Sequence, residues 1–410
     1  MSNDVLILCQ YYFPEYVSSA LLPTQLAEEL NKNNIKVDVL CGQPKEYFHG
    51  ENVPYNEVIN GVNIFRVQYS TFNNKKKYGR LFNFFSFFVS VFLQIKKIKQ
   101  YKVIFVYSNP PILPLIAYWA YRLSGVKFVF VGFDLYPDNA LALNSIKAGG
   151  LIEKLMRYIN DKVYSNATNI IAISEDMKKF MERKYINLDQ GKVKVIPNWY
   201  TGKIENNSNI YNEEFKRLRS EWELIILYTG NMGEAQDLDT IVDGIIQLKV
   251  KNQHKDILFV FTGHGSRSKE IRERLYKNNI KNVEFYGFLA GQDYIDILNI
   301  SDICLVSLKK GIEGLGVPSK TYGYFAYGKP VIAIMSSDTE LATNINNYNA
   351  GVSISQGDIN RFLDVILQYK NNPNLLIKSK NGSIKLHEDL YKKNKSTDKY
   401  YNLVNRMLKQ

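Results

Sequence analysis

Lys320 has the most chemistry to offer, because of the residues around it. The segment Gly311–Ala333 reads GIEGLGVPSKTYGYFAYGKPVIA. A Gly-rich loop runs into Pro318, Ser319 and Lys320, and Pro near the first helical position suits a helix start. Tyr322, Phe325 and Ala326 follow at helical spacing, Gly328 closes the helix, and Pro330 opens a strand. A cation in a first turn opposes the helix dipole by about 0.3–1 kcal/mol. A bound anion accounts for such a placement. With Ser319 as a donor, the pair forms an anion site suited to a leaving diphosphate. The plainer reading of Lys320 is a solvated lysine on the first turn.

Three further segments carry candidate chemistry. In Tyr228–Asp239, YTGNMGEAQDLD, Gly230 and Gly233 bracket a strand-to-helix turn. Their glycines permit close backbone approach, so the amides of the turn, including that of Met232, can face a diphosphate. Asn231 and Gln236 would add uncharged donors. An ordinary strand–helix turn has the same pattern. Phe133–Asp138, FDLYPD, ends a strand and presents Asp134 toward the predicted cleft. As a turn cap, Asp134 would look the same, and Asp138 reads as a cap as well. Asp237-Leu238-Asp239 has the form of a metal-binding Asp-x-Asp. At the head of an amphipathic helix it reads as dipole-favoured carboxylates instead. No other His, Cys or carboxylate cluster has metal-ligand spacing, so no metal and no cofactor are expected. His264 reads as a turn residue.

The elements that must position these residues alternate along the chain. Val5–Tyr11, Lys36–Cys41, Val62–Val67, Val103–Ser108, Lys127–Asp134, Asn169–Ser174 and Lys192–Pro197 read as strands, with helices over Ser19–Asn31 and Leu151–Asn166. A polar, Asn-rich stretch, YTGKIENNSNIYN, interrupts the pattern. A second series follows, with strands at Leu224–Thr229, Ile257–Thr262, Val283–Tyr286, Ile303–Ser307 and Val331–Ile334. Helical patterns between and after them cover Leu238–Val250, Ser268–Lys277, Gln292–Asn299, Ser319–Tyr327 and Thr339–Asn346. Tyr400–Leu408 reads as a terminal helix. Such alternation predicts α/β architecture with parallel sheets. The expected division is a first domain over 1–199, a linker at 200–215, a second domain over 216–390 and a helical tail at 391–410. Two such Rossmann-like domains in series would face one another across a cleft at their strand ends.

At 410 residues, 45% hydrophobic and 22% charged, the chain is long and apolar enough for two cores. The net charge of +12 admits nucleic acid, anionic membrane or phosphorylated small molecules as partners. No nucleic-acid-binding signature is present, so no nucleic acid is expected. The charge clusters at Lys75, Lys76, Lys77 and Arg80 and again at Lys96, Lys97, Lys99 and Lys102. Between them lies Leu81–Ile95, LFNFFSFFVSVFLQI. This run is too short to span a bilayer, but a basic-flanked aromatic helix suits the surface of an anionic membrane. Residues 75–102 are therefore a candidate membrane-docking segment, with a buried core helix as the alternative. Three cysteines fit neither a disulfide framework nor a zinc site. With no secretory signal evident at Met1, the expected location is cytoplasmic, peripheral on the inner face of the cell membrane.

Taken in order, these segments resemble glycosyltransferase family 4. PSKTYGYFAYGKPVIA resembles its donor-binding segment and YTGNMGEAQDLDT its Gly-rich phosphate loop. YYFPEYVSSALLPTQLAEEL resembles its acceptor-side loop and first helix, and VGFDLYPDNALAL, IAISEDM and VIPNWYTG fall in family order. The resemblance covers almost the whole chain and is to bacterial O-antigen and capsule enzymes of the fucosamine-transferase-like group. It implies the GT-B fold and retaining transfer of a sugar from a nucleotide-diphosphate donor, UDP before GDP. The implied acceptor is a polyisoprenyl-diphosphate-linked saccharide. Donor contacts are implied at Gly230, Asn231, Met232, Gly233, Gln236, Glu313, Gly316, Pro318, Ser319 and Lys320. Base and ribose contacts are implied at Phe288, Leu289 and Tyr322, and catalytic roles at Asp134 and Lys320. The chain departs from the family at several points. Leu315 and Gly323 stand where a glutamate pair is usual, with Glu313 off register. Asn231 and Gln236 replace basic residues of the phosphate loop. Ser18, Ser19 and Ala20 replace a Gly-Gly, and Phe133 precedes Asp134 where His is common. A UDP-sugar 2-epimerase of the same fold, a transferase acting on a free small molecule and a non-catalytic sugar-nucleotide binder remain as alternatives.

Overall fold

The computed structural model describes residues 4–44, 48, 50, 53–72, 77–185, 188–204 and 209–409. Lys75, Lys76 and positions 205–208 of the expected linker lie outside them, as does the side chain of Lys77. The chain divides into two compact units. One is Met1–Thr201 with Gly314–Gly316 and Lys393–Gln410; the other is Gly202–Glu313 with Val317–Lys392.

The first unit runs β1 (Val5–Leu8), α1 (Ser18–Lys32), β2 (Val37–Gly42), β3 (Asn56–Ile59), β4 (Val62–Val67), α2 (Lys77–Phe92), α3 (Ile95–Ile98), β5 (Val103–Tyr107), α4 (Pro114–Ser124), β6 (Lys127–Gly132), α5 (Asp138–Ala142), α6 (Leu151–Asn166), β7 (Asn169–Ala172), α7 (Glu175–Lys184) and β8 (Val193–Val195). Its sheet has the order β3-β4-β2-β1-β5-β6-β7-β8. Only β3–β4 is antiparallel among these pairs. The central strands, VLIL in β1 and VIFVY in β5, are buried at every position, as expected of parallel strands covered on both faces.

The second unit runs α8 (Glu213–Glu221), β9 (Leu224–Thr229), α9 (Asp239–Val250), β10 (Ile257–Thr262), α10 (Ser268–Lys277), β11 (Val283–Tyr286), α11 (Gly291–Ile300), β12 (Ile303–Ser307), α12 (Lys320–Ala326), β13 (Val331–Ile334), α13 (Glu340–Asn347), β14 (Gly351–Ile354), α14 (Ile359–Asn371) and α15 (Pro373–Leu386). Its strands pair in parallel in the order β11-β10-β9-β12-β13-β14. The direction of winding reverses between β9 and β12, and sheets of this kind bind ligands outside the strand ends at such a point.

The structure adds elements that the hydrophobic pattern does not announce. β3 is an edge strand joined to β4 through Asn60 and Gly61, whose φ values of 50° and 80° make the tight hairpin turn that Asn-Gly favours. The expected linker ends in order: Asp296 accepts bonds from the Tyr211 and Asn212 amides, and Asn212 caps α8. The expected tail is α16 (Lys393–Lys409). It is no appendage, because Tyr400, Leu403, Val404 and Met407 sit in the core of the first unit.

α2 has its polarity reversed. Asn83 is buried, and its side chain both accepts from Phe72 N and donates to Phe72 O at 2.9 Å. Ser86 accepts from Ser70 N, and Ser90 donates to Gln68 O. Phe87 and Val91 complete the buried face, while Leu81, Phe82, Phe85, Val89 and Phe92 are exposed. Polar groups thus bind the helix to the chain before it, and the outward face is apolar. We expect Asn83→Ala to lower stability by about 2 kcal/mol through the loss of its half-buried bonds to Phe72 and Ser70, read as a drop in the midpoint of urea unfolding.

Candidate active site

Within the second unit, β9 ends at Thr229 and the chain turns at Gly230 with φ 122°. A Cβ at Gly230 would fall 1.2 Å from Lys320 Nζ and 2.0 Å from its Cε. The lysine therefore lies directly against the bare Cα of the turn. Neighbouring glycines make the turn itself possible. A Cβ on Gly263 would stand 2.3 Å from Gly230 O, and one on Gly265 would stand 2.2 Å from Met232 O. The loops after β9 and β10 consequently lie backbone to backbone. They are closed by Gly230 N to Thr262 O at 2.7 Å, Met232 N to His264 O at 2.8 Å and Arg267 N to Met232 O at 2.9 Å. Met232 is buried, and its amide is spent on this pairing.

α12 brings the lysine into place. The Tyr324 hydroxyl, fully buried, lies 3.0 Å from Thr229 Oγ1 and accepts from Thr229 N at 3.2 Å. This anchors the helix to the end of β9. Thr321 donates its hydroxyl to Pro318 O at 2.7 Å, which fixes the first turn. Burial pushes the Lys320 ammonium down to about 8. Among the described residues, no carboxylate forms an ion pair with it. A half-buried cation beside a glycine turn is an anion site in chemical terms.

Other residues singled out from the sequence take varied positions. Ser319 is exposed at the head of α12, and its hydroxyl makes no capping bond. The Gln236 side-chain carbonyl accepts from Gly233 N at 3.1 Å, which ties its amide group to the turn. Asn231 is exposed, and its carbonyl accepts from Tyr228 Oη at 3.0 Å. Glu313 accepts from Gly311 N, Ser336 Oγ and Gln356 Nε2. Burial raises its carboxyl, but those bonds outweigh it and hold the group below the usual range. Phe288 is 72% exposed just beyond β11, with its ring 6.5 Å from that of His264, and Leu289 is half-buried. Tyr322 is only 3% exposed and packs edge-on against Tyr391, so its ring fills the core instead of offering a face to a base. Asp237 bonds to Thr240, and Asp239 pairs with Arg267 and Arg274. Both aspartates are engaged locally.

The first unit holds Asp134 just past β6. Ser108 Oγ, at the end of β5, accepts from Phe133 N at 3.0 Å and Asp134 N at 3.3 Å. Asn139 donates to the Asp134 carboxylate at 3.2 Å. Burial nevertheless raises this carboxyl to about 6. Gly316 groups with this unit, where a Cβ would stand 3.4 Å from Asp134 Oδ1. Ser108, Gly263, Gly265 and Tyr324 hold these turns in place, and the sequence reading did not single them out. The glycines of FTGHGS after an apolar strand were the available signal.

Residues 23–200 match the model of Glycosyltransferase Family 4, and residues 210–395 match that of Glycosyl transferases group 1. The chain belongs to these glycosyltransferases. Over 274 residues it is 28% identical to WbjE of Pseudomonas aeruginosa, which is named as a glycosyltransferase. That match spans 64% of this chain and 65% of the relative, just under two thirds of its length. Over 348 residues it is 23% identical to WcaI of Escherichia coli strain K12, named as a colanic acid biosynthesis glycosyl transferase, covering 80% of this chain and 83% of the relative. In structure it is similar to Anabaena Alr3699/HepE in complex with UDP and glucose, with a TM-score of 0.66, 11% identity and full coverage of both chains. The fold is GT-B, and the glycosyltransferase is related to a protein named for colanic acid biosynthesis.

Gly230 gives this site its sharpest test. We expect Gly230→Ala in the glycosyltransferase to displace Lys320 and to strain a backbone at positive φ, at a cost of about 1–2 kcal/mol. The variant should unfold at a lower temperature and lose nucleotide binding, as read by calorimetry.

Proposed function

We propose that the second unit binds a nucleoside-diphosphate sugar with its diphosphate against Gly230 and Lys320, and that the enzyme transfers the sugar with retention of configuration. The observation that carries this reading is the Lys320 ammonium, half-buried, without a carboxylate partner and seated on the glycine turn. The turn lies where the winding of the sheet reverses, the usual place for a ligand. HepE, similar in fold, is described in complex with UDP and glucose, which favours a UDP-sugar over a GDP-sugar. Phe288, exposed beside the same strand ends, is the aromatic surface available to the base or ribose.

In the proposed reaction, the bond between the anomeric carbon and the diphosphate oxygen breaks, and negative charge grows on that oxygen. A preorganised cation in a partly dehydrated site opposes that charge more strongly than water would. The acceptor hydroxyl bonds to the anomeric carbon on the face the diphosphate leaves, and its proton passes to a phosphate oxygen. Asp134 orients the acceptor hydroxyl. No resident cofactor or metal takes part in this scheme.

The proposed acceptor is a saccharide on a polyisoprenyl diphosphate, met at an anionic membrane surface at the inner face of the cell membrane. The reversed polarity of α2 supports this, since its exposed phenylalanines adjoin Arg80, Lys96 and Lys97. Among the described residues, no helix is long and apolar enough to cross a membrane.

A thermal-shift panel of nucleotide sugars tests the donor. A UDP-sugar at 100 times its dissociation constant should add about 2.7 kcal/mol; no shift with any UDP- or GDP-sugar rejects the reading. Lys320→Ala should keep the fold by circular dichroism and lose about 10²–10³-fold in kcat. A variant with undiminished turnover would rule out the role given to the lysine. The ammonium loses its charge as pH rises through about 8, so kcat/KM should fall along a basic limb there. Lys320→Arg, charged throughout the range, should lack that limb. Product epimerised without any acceptor would point to an epimerase instead.

A further inference from the structure

α2 is not the only element of the first unit with an apolar outer face. On α6, Leu151, Leu155 and Tyr158 recur at helical spacing and are 85%, 58% and 58% exposed. Ile152 beside them is 45% exposed. The inner face of α6 is anchored partly by polar groups, as in α2. Asn160 donates to Tyr136 O and to Tyr185 Oη, and Arg157 pairs with Asp138. Four exposed large apolar side chains on a helix so anchored are not needed for folding.

The sheet order fixes where the two helices lie. The connections β4 to β5, β5 to β6 and β6 to β7 all advance in one direction across the sheet, whereas β1 to β2 runs the other way. Parallel crossovers are right-handed. α2, α4 and α6 therefore cover one face of the sheet, and α1 covers the other, where it packs with α16. α4 touches α2, α3 and α6. Phe88 and Phe92 of α2 meet Trp119 of α4 edge-on at 5.8 and 5.3 Å, and Leu123 of α4 is itself 62% exposed. The outward faces of the three helices point the same way.

Charge decides what can cover them. α2, α3 and α4 contain no carboxylate in their sequences, while Arg80, Lys96, Lys97 and Arg122 are exposed on or beside them. α6 adds exposed Lys154, and Lys162 lies 5.3 Å over the ring of Tyr158. Its carboxylates are Glu153, bonded to Arg157, and Asp161. A basic, apolar layer of this kind repels a second copy of itself and complements a surface of anionic headgroups over hydrocarbon.

We propose that α6 is a second bilayer-insertion element, so that α2, α4 and α6 form one docking plane seated on anionic phospholipid. This deepens the membrane part of the reading above and rests on it. Its consequence for the reaction is positional. Asn160 and Arg157 tie α6 to Tyr136 and Asp138 in the loop that carries Asp134, so a lipid-borne acceptor is met by a loop braced on the docking helix.

The test is flotation of the full chain with vesicles of mixed phosphatidylglycerol and phosphatidylcholine, and with phosphatidylcholine alone. Leu151→Ser with Leu155→Ser should reduce partitioning onto the anionic vesicles about tenfold, because two exposed side chains no longer enter the lipid. The thermal midpoint should not move, since neither residue is buried. Phe82→Ser with Phe85→Ser should reduce partitioning independently. If the α6 pair partitions like the wild type while the α2 pair does not, α6 has no docking role, although the membrane reading stands. If the unaltered chain fails to float on anionic vesicles, both fall. Concentration-dependent dimers in light scattering that the α6 pair dissolves would assign the face to a second copy and overturn the proposal.

Discussion

A protonated amine pressed against a bare backbone is the constraint around which the second unit is arranged. The Lys320 ammonium is displaced from 10.5 to about 8 by burial alone. That displacement corresponds to about 3 kcal/mol against the charged form. A buried lysine in a structural role offsets part of that cost with hydrogen-bond acceptors. Lys329, in the same unit, is pushed down to about 8 by burial as well, but it donates to the carbonyls of Asn299 and Ser301 after α11. Among the described residues Lys320 has no such acceptors, and in the proposed function the diphosphate takes their place.

Holding that lysine in place constrains much else. Gly230 must lack a side chain for the lysine to lie where it does, and its φ of 122° disfavours any other residue. Gly263 and Gly265 must be bare for the next loop to support the first. Tyr324, buried in α12, binds the lysine's helix to Thr229 at the end of β9. The site is therefore built from the ends of regular elements, with a hydroxyl and three glycines setting its dimensions. A shift of one of these positions would move the cation relative to the turn on which it lies.

Much of this was legible in the sequence because parallel strands announce themselves as unbroken apolar runs. LIILYT and ILFVFT fall where the structure has β9 and β10. The strands that escaped notice have weaker patterns. β3 is half exposed, and only its Asn60-Gly61 turn betrays it. The Gly230 turn and Lys320 could each be named from local spacing, but not their contact, since 90 positions separate them and only the sheet order brings them together. Local pattern also misassigned particular groups. Gln236 reads as a donor to phosphate, and local spacing did not show that its carbonyl oxygen would also accept from its own turn. Tyr322 shares helical spacing with residues that reach a ligand, but the packing of Tyr391 draws it inward.

The helices with exposed apolar faces show why composition alone leaves such segments ambiguous. LFNFFSFFVSVF satisfies a buried helix and an interfacial helix equally well, because its apolar residues nearly encircle it. The deciding residues are the few polar ones. Were Asn83, Ser86 and Ser90 turned to solvent, the phenylalanines would form core. They face inward instead and bond to the backbone between Gln68 and Phe72. Each such bond contributes only about 1 kcal/mol net, but leaving its partners buried and unpaired costs more. Three polar residues on one face therefore fix the rotation of α2 and leave its aromatic face outward. In α6, Asn160 makes the same choice beside Ile159 and Val163, and Leu151 and Leu155 are left outside. The direction of an apolar face is thus set by its polar minority, and in this unit that minority also grips the loop on which Asp134 is carried.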